Sequence, residues 1–167
     1  IADTFAVDSS AWLPLLDPVL TRLSMRVRWW QIGADDDASL AADGNLQAKV
    51  LDLREKLFRF GQEVNLGIGW DWTQEALTGV ALPWNFEQMS ATPALTGSEL
   101  AAYLDLPNRA GTRRWILVEP LPRSEYDLES RACDMVEQML AGKIKGADAI
   151  FVARPFDDER GLMNDAG

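Results

Sequence analysis

Carboxylates are the groups of this 167-residue chain best placed to do chemistry. Glu119 follows directly on Trp115-Ile116-Leu117-Val118, where an apolar run ends and a polar loop begins. A carboxylate at such a point serves as nucleophile or general acid/base. It also reads as a structural carboxylate paired with Arg113, Arg114 or Arg123, its sequence neighbours. Asp35, Asp36 and Asp37 form a second acidic group, immediately after the run 26–33 (RVRWWQIG). Asp71 and Trp72 follow the run 64–70 (VNLGIGW), Asn85 and Glu87 follow 79–84 (GVALPW), and Arg154, Asp157 and Asp158 close the last apolar run. The chain also holds seven tryptophans. Flat apolar rings carrying one donor suit sugar faces and protein cores alike. Trp29 and Trp115 read as core residues. Trp70, Trp72 and Trp84, at or near strand ends, are the candidate platforms for a ligand.

Composition removes other chemistries. The chain has no histidine, so no Ser-His or Cys-His triad, HExxH zinc site or imidazole base is available within it. Its single cysteine, Cys133, excludes an internal disulfide and any multi-cysteine metal site. A net charge of −10 argues against a phosphate-backbone partner, because non-specific nucleic-acid affinity comes from Lys and Arg neutralising phosphates. No apolar run reaches the roughly 18 residues that span a bilayer. Gly67-Ile68-Gly69 starts like a dinucleotide fingerprint, but Trp72 stands where the third glycine belongs. The aspartates 35–37 lack the spacing and glycine of a calcium loop. No cofactor or metal is expected. Neither the Ile1 start, without a signal-peptide pattern, nor the absence of an Asn-x-Ser/Thr sequon assigns a compartment.

The elements that must position these groups follow from periodicity. Residues 10–24 carry Trp12, Leu15, Leu16, Val19, Leu20 and Leu23 at helical spacing, interrupted by Pro14 and Pro18. A strand over 26–33 follows, then a helix with Leu46, Val50, Leu53, Leu57 and Phe60 on one face. The run 64–70 is the next strand, and 79–84 is a weak one limited by Pro83. Residues 85–93 read as loop. Thr96-x-x-Glu99 is a capping box opening a short helix through Leu104. The run 114–119 (RWILVE) is a strand ended by Pro120 and Pro122. Ser124 is a candidate cap for a long helix whose face is Leu128, Ala132, Met135, Val136, Met139 and Leu140. The run 147–155 is the last strand. Strands alternating with helices imply right-handed crossovers and a parallel sheet, an α/β class in one segment over 1–167. An open doubly wound sheet and part of a (β/α)8 barrel both fit. Either architecture gathers its site at the carboxyl ends of the strands, where the candidate groups lie.

Trp30-Gln31-Ile32-Gly33-Ala34-Asp35 resembles the Trp-x-Ile-Gly-Asn-Glu segment that ends the fourth barrel strand in clan A glycoside hydrolases. These are retaining (β/α)8 enzymes with the acid/base Glu on that strand and a nucleophilic Glu ending the seventh. The resemblance implies that the chain is the C-terminal half of such a barrel, its strands being the fourth, fifth, a weak sixth, seventh and eighth. Glu119 then takes the nucleophile's place, and Asp35 or Asp36 the acid/base. Asp37, Trp70, Asp71, Trp72, Trp84, Arg154 and Asp157 are implied substrate contacts. Two departures stand out. Ala34 replaces the family's Asn, which hydrogen-bonds the sugar 2-hydroxyl, and Asp35 is one methylene shorter than Glu. A misplacement of about 1 Å can cost about 100-fold in rate, so the resemblance implies a site that keeps its shape and its carbohydrate ligand with weak or lost hydrolysis. The alternative is a non-enzymatic α/β interaction or scaffold domain of a larger protein. A half-barrel exposes two sheet edges, so the isolated segment is expected to associate, and the missing N-terminal half is expected to be needed for its stable form.

Overall fold

The computed structural model describes residues 9–35, 40, 43–60, 64–71, 82–91, 95–105 and 111–162. Asp36, Asp37 and Trp72 lie outside them. The elements run α1 (Ser9–Leu23), β1 (Trp29–Ile32), α2 (Leu46–Leu57), a 3-10 turn (Phe58–Phe60), β2 (Asn65–Asp71), β3 (Phe86–Ser90), α3 (Gly97–Tyr103), β4 (Arg113–Val118), α4 (Leu128–Ile144) and β5 (Ala149–Val152). All strand pairings are parallel and follow chain order, β1-β2-β3-β4-β5. The sheet curls into a half-barrel with its helices outside, so the partial-barrel α/β class is the observed one.

Alternation along the strands separates two faces. The outer set, Leu66, Ile68, Met89, Ile116 and Val118, packs with Leu46, Val50, Leu53 and Leu57 of α2, Leu100 of α3 and Met135 of α4. Trp70 and Trp84 belong to this core, 4% and 2% exposed. They are buried under helices rather than offered to a ligand. The inner set is aromatic: Phe86 stacks on Trp115 at 3.9 Å between centroids, Trp29 approaches both, and Phe151 lies 5.2 Å from Trp115. Gly67, register partner of Phe86, makes the room: a Cβ there would sit 2.1 Å from the ring.

Four local features differ from the sequence reading. The third strand is Phe86–Ser90, fully buried, within a stretch read as loop. Its Glu87 and Gln88 hid it, because polarity masks a strand whose polar side chains find partners inside. Asn85 and Glu87 therefore stand at the amino end and within β3, and Asn85 Oδ1 accepts from Leu66 N at 3.1 Å. Helix α1 runs unbroken through Pro14 and Pro18, both on its exposed side, where water can serve the carbonyls that proline leaves unpaired. Helix α4 is capped by Asp127, whose Oδ1 accepts from Ser130 N at 2.7 Å, not by Ser124.

The fourth difference is the face α4 buries. Arg131, Met135, Gln138, Ala141 and Gly142 turn inward, whereas Leu128, Val136, Met139, Leu140 and Ile144 are exposed. Close packing explains it. A Cβ on Gly142 would lie 3.1 Å from Ile150 Cδ1, and one on Gly97 of α3 would lie 2.8 Å from Glu137 Cβ. Small residues take the tight side and the large apolar ones are left outside.

Candidate functional site

At the carboxyl ends of the strands a cleft of about 500 Å³ opens on the concave side. Gly33, Ala34 and Asp35 line it after β1, Ser90 at the end of β3, Leu117 in β4 and Glu119 just after it, and Ala153 and Arg154 after β5. Of the expected site residues, Asp35, Glu119 and Arg154 are thus brought together from the two sides of the curl. Gly33, at φ 91°, turns the chain at the end of β1. Arg154, at φ 47°, is a non-glycine residue in the left-handed region. Such backbone costs of order 1 kcal/mol or more and persists where the surroundings enforce it.

What surrounds Glu119 is a guanidinium, though not one of its sequence neighbours. Its Oε2 lies 3.6 Å from Arg160 Nη1, and its side chain is 15% exposed. Arg113 instead stacks over Trp29 at 4.7 Å, Arg114 donates to Leu104 O at 2.9 Å, and Arg123 donates to Gly161 O at 2.9 Å. Arg160 is presented by a tight turn. Asp157 Oδ1 accepts from the amides of Glu159 and Arg160, both at 2.9 Å, and Gly161 N donates back to Asp157 O at 2.8 Å. These amides, Arg160 first, hold the Asp157 carboxyl below its usual value, aided by the charges of Arg154 and Arg160. Asp157, an expected substrate contact, is therefore the cap of the turn that carries Arg160.

That turn is clamped from below. Arg131, 3% exposed, donates to Leu121 O at 2.7 Å, Arg160 O at 2.6 Å and Gly161 O at 2.8 Å. Burial, then the charge of Arg123, lowers its pKa from the usual value. One buried guanidinium so ties the segment after β4 to the segment after β5. On the opposite side, Gln31 Nε2 donates to Asp35 Oδ1 and to Gln88 Oε1, each at 3.0 Å. Gln88 is 3% exposed, and its own Nε2 has no partner among the described residues. Asp71 closes β2 at this same end of the sheet.

Gln31, Ser90 and Arg160 were not among the expected site residues. Gln31 was findable: two residues from Trp29, it shares the concave face. Arg160 left no signal, because its position depends on a turn closed by contacts across the fold. The arrangement sets carboxylates and a guanidinium around a space of about 500 Å³ on the side of the aromatic layer, a donor and acceptor set suited to polar groups. Among the described residues no cluster of His, Cys, Asp or Glu is arranged to hold a metal ion, and no helix is long and apolar enough to cross a membrane. Compared with protein-family models, curated proteins and solved structures, the chain matches none of them.

Proposed function

We propose that the rim cleft binds carbohydrate, as the C-terminal part of a glycoside-hydrolase-like barrel whose hydrolytic activity is weak or lost. The observation that carries this reading is the shared cleft of Asp35 and Glu119, which follow β1 and β4 and line one cavity with Arg154. In the retaining reading Glu119 is the nucleophile and Asp35 the acid/base, steadied by Gln31. Ala34 lines the same cleft and offers no side-chain hydrogen bond to a sugar hydroxyl, which favours binding over turnover.

Titration calorimetry against a panel of neutral oligosaccharides, with aryl glycosides assayed in parallel, tests this. Saturable binding with slow or no release of the aryl group is expected. Glu119→Gln should keep binding and remove whatever turnover exists. A correctly folded protein that binds none of the panel refutes the carbohydrate reading. Turnover at ordinary enzyme rates, abolished by Glu119→Gln, refutes the binding-only part. The exposed apolar stripe of α4 favours a second role, as an interaction surface.

A further inference from the structure

We propose that Gln88 is a positioning residue of the rim cleft: through Gln31 it fixes the Asp35 carboxylate as a preset acceptor for one ligand hydroxyl. The hydroxyl rests on the carbohydrate reading; the relay of side chains does not. Gln88 stands in β3 between Phe86 and Ser90 on the concave face, one step below the cleft that Ser90 lines. It is 3% exposed, yet its Nε2 has no partner among the described residues. An unpaired buried N–H costs free energy, and an apolar side chain of the same size would avoid that cost. What this side chain supplies is its carbonyl: Gln88 Oε1 accepts from Gln31 Nε2 at 3.0 Å.

The sheet leaves a path for this bond. β1 and β3 are not neighbours, because β2 lies between them. On the concave face β2 carries Gly67, register partner of Gln31, and Gly69, register partner of Gln88. No β2 side chain stands between the two glutamines, so their amides meet across the strand.

The direction of the relay is set at its rim end. A carboxylate accepts and does not donate, so Gln31 must turn its NH2 toward Asp35. It does so, Nε2 donating to Asp35 Oδ1 at 3.0 Å. The same nitrogen gives its other proton to Gln88, which must therefore present its oxygen and leave its own NH2 over. The unpaired Nε2 is thus the far end of a chain of polarity that begins at Asp35. Asp35 is exposed in the loop after β1, and Gln31 is its one hydrogen-bond partner among the described residues. Ordering a long side chain costs entropy, and anchoring Gln31 to a buried residue places that cost in folding rather than in binding. With Oδ1 accepting from Gln31, Oδ2 is the oxygen left to accept a ligand hydroxyl.

Side-chain amide exchange, followed by NMR on the 167-residue chain, tests the relay without any ligand. In Gln88→Met the Gln31 NH2 should exchange about five- to tenfold faster, the worth of one hydrogen bond, while backbone amides of β2 and β4 keep their protection. Gln88→Asn, which withdraws the carbonyl by one methylene and stays polar, gives the same readout should the methionine variant fail to fold. Calorimetry with neutral oligosaccharides then tests the positioning. Gln88→Met should weaken binding by about five- to tenfold, and should cost nothing further in an Asp35→Ala background. A parent protein that binds none of the sugars overturns the hydroxyl together with the carbohydrate reading, and Gln31 exchange alone then decides the relay. Unchanged Gln31 exchange overturns the proposal, as does unchanged affinity of Gln88→Met for a sugar the parent binds. An equal loss of affinity in the absence of Asp35 overturns it too, since it reports a merely structural role.

Discussion

Replacing Gly67 by alanine tests the packing on which the concave face depends. A Cβ at this position would lie 2.1, 2.2 and 2.3 Å from three atoms of the Phe86 ring. Carbon atoms pack at about 3.5–4.0 Å, so the ring must retreat by about 1.4 Å or more. It has nowhere to go: Phe86 is fully buried and already stacked 3.9 Å from Trp115. Overpacking of this kind costs about 1–3 kcal/mol, and the tightness of the stack argues for the upper end. Alanine recovers roughly 0.5–1 kcal/mol through the unfolded chain, because glycine loses more freedom on folding. The net expectation is about 2 kcal/mol of destabilisation, or a Tm lowered by about 4–8 °C in a domain of this size. Urea unfolding followed by tryptophan fluorescence measures it, since Trp29 and Trp115 border the displaced ring. A second variant isolates the cause. In Gly67→Ala with Phe86→Leu the clash is relieved, so the double variant should be more stable than the sum of the single changes by at least about 1 kcal/mol. A Gly67→Ala protein as stable as the parent, or strict additivity in the double variant, would refute the inward placement of Phe86 over β2.

Other expectations concern the clamp and the acid limb. Arg131→Met leaves the carbonyls of Leu121, Arg160 and Gly161 without their donor, costing about 3 kcal/mol and speeding amide exchange across 157–161; unchanged exchange there would sink the clamp. Asp127, Asp157 and Glu99 all have carboxyls lowered first by backbone amides, of Ser130, Arg160 and Thr96 respectively. Their native values lie below the unfolded ones, so the stability they add is complete above about pH 5 and disappears as pH falls through the lowered values. Asp134 acts the other way, since burial raises its carboxyl and protonation then favours the fold. Urea titrations between pH 6 and 2.5 should show net acid loss, smaller in Asp127→Asn; an identical acid limb in that variant counts against the cap.

The order of elements was legible because parallel strands buried on both faces leave continuous apolar runs, and helices between them leave three- and four-residue spacing. Thr96-x-x-Glu99 could be read outright: the box closes within four residues, Thr96 accepting from Glu99 N and Glu99 accepting from Thr96 N. The rim could be placed as well, since the carboxyl ends of parallel strands share one side of the sheet. Asp35, Glu119 and Arg154 therefore lie together as their positions after three strands suggested.

Tertiary structure alone decided which surface each side chain meets. The α4 stripe was visible as periodicity, but periodicity marks an apolar face without saying what covers it. Close approach to β5 and α3 reserved the buried side for Ala141 and Gly142. Trp70 and Trp84 stood at strand ends in sequence, yet alternation puts Trp70 on the helix side of the sheet, and Trp84, whose Nε1 donates to buried Glu87, joins the same core. The partner of Glu119 comes from 41 positions further along the chain rather than from the adjacent arginines. Local patterns are set by forces acting over a few residues, so the sequence displays them. Pairings across the fold depend on where distant segments come to rest, and only the folded chain fixes that.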